Sequence, residues 1–92
     1  MPNPKPVRHF VFTDHAHSEL ARRGISEDQV KAVLAKPEQS ESVRKGRTVY
    51  QSKLSSGELP KEYILRVFVD VDRNPPQVVT AYRTSKIEKY WR

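Results

Sequence analysis

The sequence contains no cysteine, and none of its apolar runs approaches the ~20 residues that a membrane-spanning helix needs. Without cysteine, the chain can form neither a disulfide framework nor a thiolate metal site. The first residues also lack the charged and apolar regions of a secretory signal peptide. We therefore predict a cytoplasmic protein that has no membrane partner.

The length and composition predict a single folded domain. Ninety-two residues leave no room for a second hydrophobic core, and a chain of this size buries roughly two thirds of the surface that its unfolded form exposes. The hydrophobic content is only 36%, but the 30% of charged residues are mixed in sign, which does not indicate disorder. One layer of helices on a sheet is the expected architecture.

Basic residues outnumber acidic residues by 17 to 11, which gives a net charge of +6. This balance favours polyanions, because cations release the counterions of a phosphate backbone and speed the encounter with it. Residues 83–92 alone carry four basic groups and one acidic group. The alternative is that the charge only keeps the protein soluble.

The first residues predict an extended segment followed by a helix. Three alternating prolines make residues 1–6 a flexible lead to a domain over residues 7–92, and the residue types from 7 to 12 favour a short strand. Thr13 is a suitable N-cap for a helix that runs to Arg23 and ends at Gly24.

A second helix follows directly, so that the two form a helical hairpin. It begins with a capping box between Ser26 and Gln29, and Pro37 ends it. Its apolar stripe has helical spacing and consists of Val30, Val33 and Leu34.

After Pro37 the pattern changes to strands and turns. Strands are predicted over 40–44 and 47–54, on either side of a Lys45-Gly46 hairpin turn, and a polar loop is predicted over 55–60. The next strand alternates strictly. Its predicted core-facing residues are Tyr63, Leu65, Val67, Val69 and Val71.

The last elements are a strand over 77–83 and a short helix that a capping box at Ser85 opens and that reaches Tyr90 or Trp91. On the last strand, Thr80 and Tyr82 join Arg66 on one face if Val79 and Ala81 face the core. The predicted class is α+β, with an N-terminal helical hairpin packed on a four-stranded antiparallel β-meander and a short C-terminal helix.

The histidines do not form a metal site. On a helix, His15 and His17 lie about 200° apart and cannot bind one ion together, so we expect no metal and no cofactor. His17 shares the apolar side of its helix, which indicates a structural residue. His15 is accessible in the first helical turn, where the helix dipole favours the neutral imidazole of a general base. From the residues alone, however, a surface histidine without a role is the favoured interpretation.

Two regions have residues suited to phosphate or RNA. Arg66 lies between Ile64 and Phe68 on the face away from the apolar stripe, where a guanidinium can bind a phosphate through two hydrogen bonds. An ordinary amphipathic sheet with ion pairs is the alternative. Residues 82–92 interleave cations and aromatic rings, which suits base stacking, although Ile87, Tyr90 and Trp91 also have the spacing of a helix docked on a core.

Several blocks of the sequence resemble a bacterial family labelled domain of unknown function 4258. The match covers about residues 10 to 91. The matching blocks are Phe12-Thr13-x-His15-Ala16, Leu20-x-x-Arg23-Gly24-Ile25, Val30 with Val33-Leu34, Gly46-Arg47-x-Val49-Tyr50-Gln51, Leu65-Arg66-Val67 and Val79-Thr80-Ala81-Tyr82-Arg83-Thr84-x-Lys86-x-x-Lys89-Tyr90.

That family is similar in layout to the RelE-like toxins and to small colicin-like and barnase-like RNases. The resemblance implies a metal-independent endoribonuclease in which the ribose 2′-hydroxyl attacks the neighbouring phosphorus. It further implies a role for each of eight residues. His15 would be the acid or base, Arg66 would neutralise the phosphate, Arg47 or Arg83 would assist, Tyr82 and Thr84 would orient the phosphate or transfer protons, and Lys86 and Lys89 would bind the RNA backbone.

Two further functions are compatible with the sequence. The protein could bind RNA or the ribosome without cleaving it. It could instead be an interaction subunit whose basic face covers a small acidic protein, and a toxin would have such an acidic antitoxin as its partner.

Overall fold

The computed structural model describes residues 4–55 and 62–92, with the Ser55 side chain left out. Part of the predicted lead over 1–6 and most of the predicted loop over 55–60 lie outside these residues. In chain order, the elements are β1 (Val11–Phe12), α1 (Asp14–Arg23), α2 (Glu27–Ala35), β2 (Gln39–Arg44), β3 (Arg47–Ser55), β4 (Glu62–Asp70), β5 (Gln77–Thr84) and α3 (Ile87–Tyr90).

The fold is α+β, as predicted, but its sheet is mixed and has five strands in the order β1-β5-β4-β3-β2. Strands β2 to β5 form the predicted antiparallel meander, and β1 adds a parallel neighbour to β5. The prediction of a four-stranded antiparallel sheet is therefore wrong. The β1 segment joins the sheet because the edge of β5 offers free carbonyl groups: Val11 N donates to Pro76 O at 3.0 Å and Thr13 N to Val78 O at 3.1 Å.

The strand predicted over 7–12 has only two residues in the structure, because the start of this segment hydrogen-bonds to α2 and not to the sheet. Val7 N donates to Leu34 O at 2.8 Å, near the end of α2, rather than to the sheet. At the other end, Thr13 leaves the strand to cap α1: its hydroxyl accepts from Ala16 N at 3.0 Å. The contact with α2 before β1 and the cap of α1 after it therefore limit the length of this strand.

The predicted signals of the helical hairpin are confirmed. Gly24 adopts a left-handed φ of 67° after α1. The capping box of α2 has both of its hydrogen bonds, each 3.1 Å long, between Ser26 and Gln29. Of the described helices, none has the length and apolar character needed to cross a membrane.

The helical hairpin packs on one face of the sheet, here called the helix-covered face. The buried residues of this core are Ala16, Leu20, Ile25, Val30, Val33, Leu34, Leu65, Val67, Val69, Val78 and Ala81. The predicted alternation of β4 is confirmed at its centre. The prediction that Val71 faces the core is wrong, however, because β4 ends at Asp70 and Val71 is 39% exposed in the turn that follows.

A register shift changes which residues of β5 face the core. Phe68 pairs with Thr80, but the next residue, Val69, pairs with Val78, so that Val79 bulges out of the ladder. Val78 therefore takes the core position that the alternation assigns to Val79. On the other side of the bulge, Thr80 remains paired with Phe68.

The C-terminal helix differs from its prediction. The capping box at Ser85 is absent: Lys86 is the N-cap, and no side chain caps the helix. Lys86 N instead donates to the Thr84 hydroxyl at 3.1 Å. Ile87 and the aromatic residues of this segment are half-buried, and none belongs to the main core.

The two caps give a test of these local structures. Thr13→Ala removes the hydroxyl that satisfies a helix N–H and should lower the free energy of unfolding by about 1 kcal/mol. Ser85→Ala removes a hydroxyl that caps nothing and should change it by less than about 0.5 kcal/mol. Urea denaturation of both variants measures the difference. An equal loss from Ser85→Ala would contradict the assigned caps.

Candidate functional site

The sheet places three polar side chains side by side on the face opposite to the helical hairpin, here called the Arg66 face. Gln51 of β3, Arg66 of β4 and Tyr82 of β5 are direct partners across the ladder. Arg66 is only 9% exposed. Its Nε donates to Gln51 Oε1 at 2.9 Å, and its Nη1 donates to the Tyr82 hydroxyl at 2.6 Å. The guanidinium is therefore oriented by both neighbouring strands.

Three aromatic rings surround this guanidinium. The Arg66 Cζ atom lies 4.2 Å from the ring centroid of Tyr90, 5.6 Å from that of Phe68 and 5.7 Å from that of Tyr82. The Phe68 and Tyr82 rings are stacked at 5.8 Å. Such rings attract a cation through their negative faces. The Arg66 face is consequently covered by the C-terminal segment, whereas the sequence predicted an open sheet face.

No carboxylate of the described residues pairs with Arg66. A buried charge is usually paired, because removing it from water is costly. Here neutral acceptors and aromatic faces satisfy the guanidinium without cancelling its charge. The site therefore keeps a positive potential that an anion can compensate.

The two tyrosines at Arg66 have pKa values that move in opposite directions. Burial raises the pKa of Tyr82, although the hydrogen bond from Arg66 acts against it. A hydrogen bond with Tyr82 lowers the pKa of Tyr90, and the positive charges of Lys89 and Arg66 act in the same direction. Pairs of titratable groups whose pKa values are shifted in opposite directions by their surroundings are typical of acid–base sites.

Exposed lysines border the same region. Lys53 Nζ lies 4.5 Å from the Trp91 ring, and Lys89 Nζ lies 5.3 Å from the Tyr90 ring. Lys86 and Lys89 are exposed, as the sequence analysis expected of residues that bind an RNA backbone. These residues thus add cations and aromatic surface around Arg66.

The structure places the two assisting arginines away from Arg66. Arg47 forms two hydrogen bonds with Asp70, of 2.6 and 3.2 Å, which raise the pKa of Arg47 and lower that of Asp70. Asp70 is about 13 Å along β4 from Arg66. Arg83 pairs with the core residue Leu65 and therefore lies on the helix-covered face. Neither guanidinium shares the site.

His15 is also separated from Arg66. It belongs to α1, which packs on the helix-covered face; its side chain is 70% exposed and lies 3.4 Å from Glu19. The sequence could not reveal that the sheet divides the two residues. Thr84 lies on the Arg66 face as the partner of Ile64, but its hydroxyl accepts a backbone N–H in the turn before α3.

His17 is the packed, half-buried histidine that its helix position predicted. Its side chain is half exposed, packs against the Phe12 ring with centroids 5.3 Å apart and lies 3.2 Å from Glu27. Of the described residues, no three His, Asp or Glu side chains are grouped so that they could bind a metal ion.

Sequence reasoning missed the importance of two residues that complete the site. Gln51 carries a polar amide in the middle of a central strand, where apolar residues are usual. This polar residue type at such a place was the available signal. For Tyr90 the sequence left base stacking and docking on a core as alternatives, and in the structure its ring covers Arg66.

A family model for a domain of unknown function, DUF4258, matches residues 12–83. The chain belongs to the DUF4258 family. The match includes Gln51, Arg66 and Tyr82, whereas Tyr90 follows its last residue. No curated protein and no solved structure matches the chain. For this DUF4258 domain, the arrangement of the site is therefore the main basis for a function.

The opposite pKa shifts can be observed directly. In the folded protein, Tyr90 should ionise at a lower pH than Tyr50 and Tyr82. Tyr82 and nearby cations stabilise the ionised form of Tyr90, whereas burial raises the pKa values of Tyr50 and Tyr82. NMR of tyrosines labelled at the hydroxyl-bearing carbon follows each residue. Tyr90→Phe identifies the signal, and simultaneous ionisation of all three residues would disprove the described arrangement.

Proposed function

We propose that this DUF4258 domain is a metal-independent endoribonuclease of the toxin type, with its site on the Arg66 face. The supporting observation is the buried guanidinium of Arg66, which has no carboxylate partner and contacts two tyrosines with oppositely shifted pKa values. A transition state in which negative charge builds up on the phosphate oxygens is stabilised by a fixed cation of this kind. The likeness to RelE-like toxins noted in the sequence agrees with this reaction.

The two tyrosines provide the proton transfers. In its ionised form, which the lowered pKa of Tyr90 favours, the Tyr90 oxygen accepts the proton of the ribose 2′-hydroxyl, whose oxygen attacks the adjacent phosphorus. The bond from phosphorus to the 5′-oxygen breaks, and this oxygen takes the Tyr82 proton. The products are a 2′,3′-cyclic phosphate and a 5′-hydroxyl end. Transfer of a proton from Tyr90 to Tyr82 through their hydrogen bond restores the starting state.

Cleavage in the presence of EDTA tests this proposal. The wild-type protein should cut RNA and leave cyclic phosphate ends, and Tyr90→Phe should slow the reaction by about 10²–10⁴-fold, the usual contribution of a general base. RNA affinity should be retained, since the phenyl ring still covers Arg66. Rates from single-turnover assays and affinities from fluorescence anisotropy separate the two effects.

His15→Ala is the matched control, because His15 is exposed on the other side of the sheet and the sequence analysis had assigned it the same role. Its cleavage rate should equal that of the wild type. A loss on His15→Ala with full activity of Tyr90→Phe would return the acid–base role to His15.

The second candidate is an RNA-binding module without catalysis. It is favoured by the fact that Nε and Nη1 of Arg66 already donate to Gln51 and Tyr82, which leaves fewer donors for a reacting phosphate. Aromatic rings with neighbouring lysines would still stack bases and follow the backbone of single-stranded RNA.

Both candidates predict salt-dependent binding through the exposed lysines. Lys86→Ala and Lys89→Ala should each reduce the slope of log K against log salt by about 0.7 on single-stranded RNA. Lys31→Ala, an equal charge change on α2, should leave the slope unchanged. Titrations at several salt concentrations measure it, and unaltered RNA after binding would identify the non-catalytic module. If the domain did not bind RNA but bound a small acidic protein, both candidates would be refuted.

A further inference from the structure

Gln51 is a buried polar residue that connects several parts of the site. It is 5% exposed in the middle of β3. Its Oε1 accepts from Arg66 Nε at 2.9 Å. Its Nε2 donates to the Tyr90 backbone carbonyl at 3.0 Å and to Gln39 Oε1 at 2.8 Å. One amide therefore contacts β2, β4 and the C-terminal segment at once.

The contact to Tyr90 matters because it joins the C-terminal segment, which ring contacts and the Arg92–Glu41 pair also hold, to the centre of the sheet. The β-ladder itself places Arg66 and Tyr82, whereas Tyr90 lies outside the sheet and α3 has no buried residue. Gln39 extends the connection, since its Nε2 donates to Arg92 O at 2.6 Å and its Oε1 accepts from Arg92 N at 3.2 Å. The segment is thus held to the sheet by a chain of amide hydrogen bonds that passes through Gln51.

The orientation of the amide is set by its partners. Arg66 has only donors, so the Gln51 oxygen must face it, and the Tyr90 carbonyl accepts only from the nitrogen end. A carboxylate of the same size would lose that donor, and an apolar side chain would lose both ends. A glutamine fits this position where other residues of its volume do not.

We propose that Gln51 is the positioning residue of this site, which holds the Arg66 guanidinium and the Tyr90 ring against each other. Its effect on RNA cleavage rests on the endoribonuclease proposed above, whereas its effect on Tyr90 does not. If the amide is removed, Arg66 and the C-terminal segment lose their common contact, and the Tyr90 hydroxyl moves away from Tyr82.

The test follows the ionisation of Tyr90 by NMR in Gln51→Ala and in the isosteric Gln51→Glu. Gln51→Ala should raise the pKa of Tyr90 towards its ordinary value through the lost contact, and Gln51→Glu should raise it further, because its carboxylate also offsets the Arg66 charge that lowers the pKa of Tyr90. Gln51→Glu guards against a cavity that unfolds the protein, because it keeps the volume and the acceptor for Arg66. An unchanged Tyr90 titration in both folded variants, or two unfolded variants, would overturn the proposal.

Ser52→Ala is the matched control for buried polarity. Ser52 is the next residue of β3, is 7% exposed, and lies on the helix-covered face, where its hydroxyl accepts from Glu38 N and donates to Lys36 O. It should lower stability without shifting Tyr90. If Ser52→Ala changed the pKa of Tyr90 by the same amount, general destabilisation would explain the change, and the proposal would be disproved.

Cleavage assays separate this inference from the function on which it rests. If the wild type cleaves RNA, Gln51→Ala should lower kcat by up to about 10²-fold, the cost of a displaced group, with little change in KM. Absence of wild-type cleavage would remove the endoribonuclease, while the Tyr90 titration would still decide the role of Gln51.

Discussion

The structure of the Arg66 face depends on one constraint, the burial of a guanidinium without a carboxylate. A buried donor that finds no acceptor costs about 1–3 kcal/mol, and more when it is charged. The acceptors therefore have to come from the adjacent strands, and Gln51 and Tyr82 supply them. The remaining surface of the charge is covered by aromatic rings. This single requirement accounts for the polar pair in the centre of the sheet and for the position of Tyr90 above it.

The bulge at Val79 lets the same strand serve both faces. Without it, the alternation that places Val78 in the core would place Ala81 on the opposite face. One additional residue restores Ala81 to the core and leaves Tyr82 beside Arg66. The stability of the hydrophobic core and the geometry of the candidate site are thus coupled through this bulge.

Local signals were readable from the sequence, whereas pairings between distant segments were not. The caps at Thr13 and Ser26 and the turn at Gly46, which has a φ of 86°, depend on neighbouring residues and were predicted. The two-residue β1 depends on the free edge of β5, which lies far from it in the sequence. The alternation of residues along β4 showed on which face of the sheet Arg66 lies, but not that the Tyr90 ring covers it. The sequence also did not show that His15 and Arg66 lie on opposite sides of the sheet, because a helix position says nothing about which face of the sheet receives the helix.

The net charge of the chain is a poor guide to where an anion would bind. Several arginines are compensated: Arg22 by Glu19, Arg47 by Asp70 and Arg92 by Glu41. The exposed Arg92–Glu41 pair adds little stability, but all three pairs remove positive potential from their surroundings. Among the described residues, Lys86 and Lys89 form no such pair, and they lie in the segment that covers Arg66. In the part of the chain that the structure describes, Glu88 of the same segment also forms no ion pair, and the segment keeps an excess of basic groups beside Arg66.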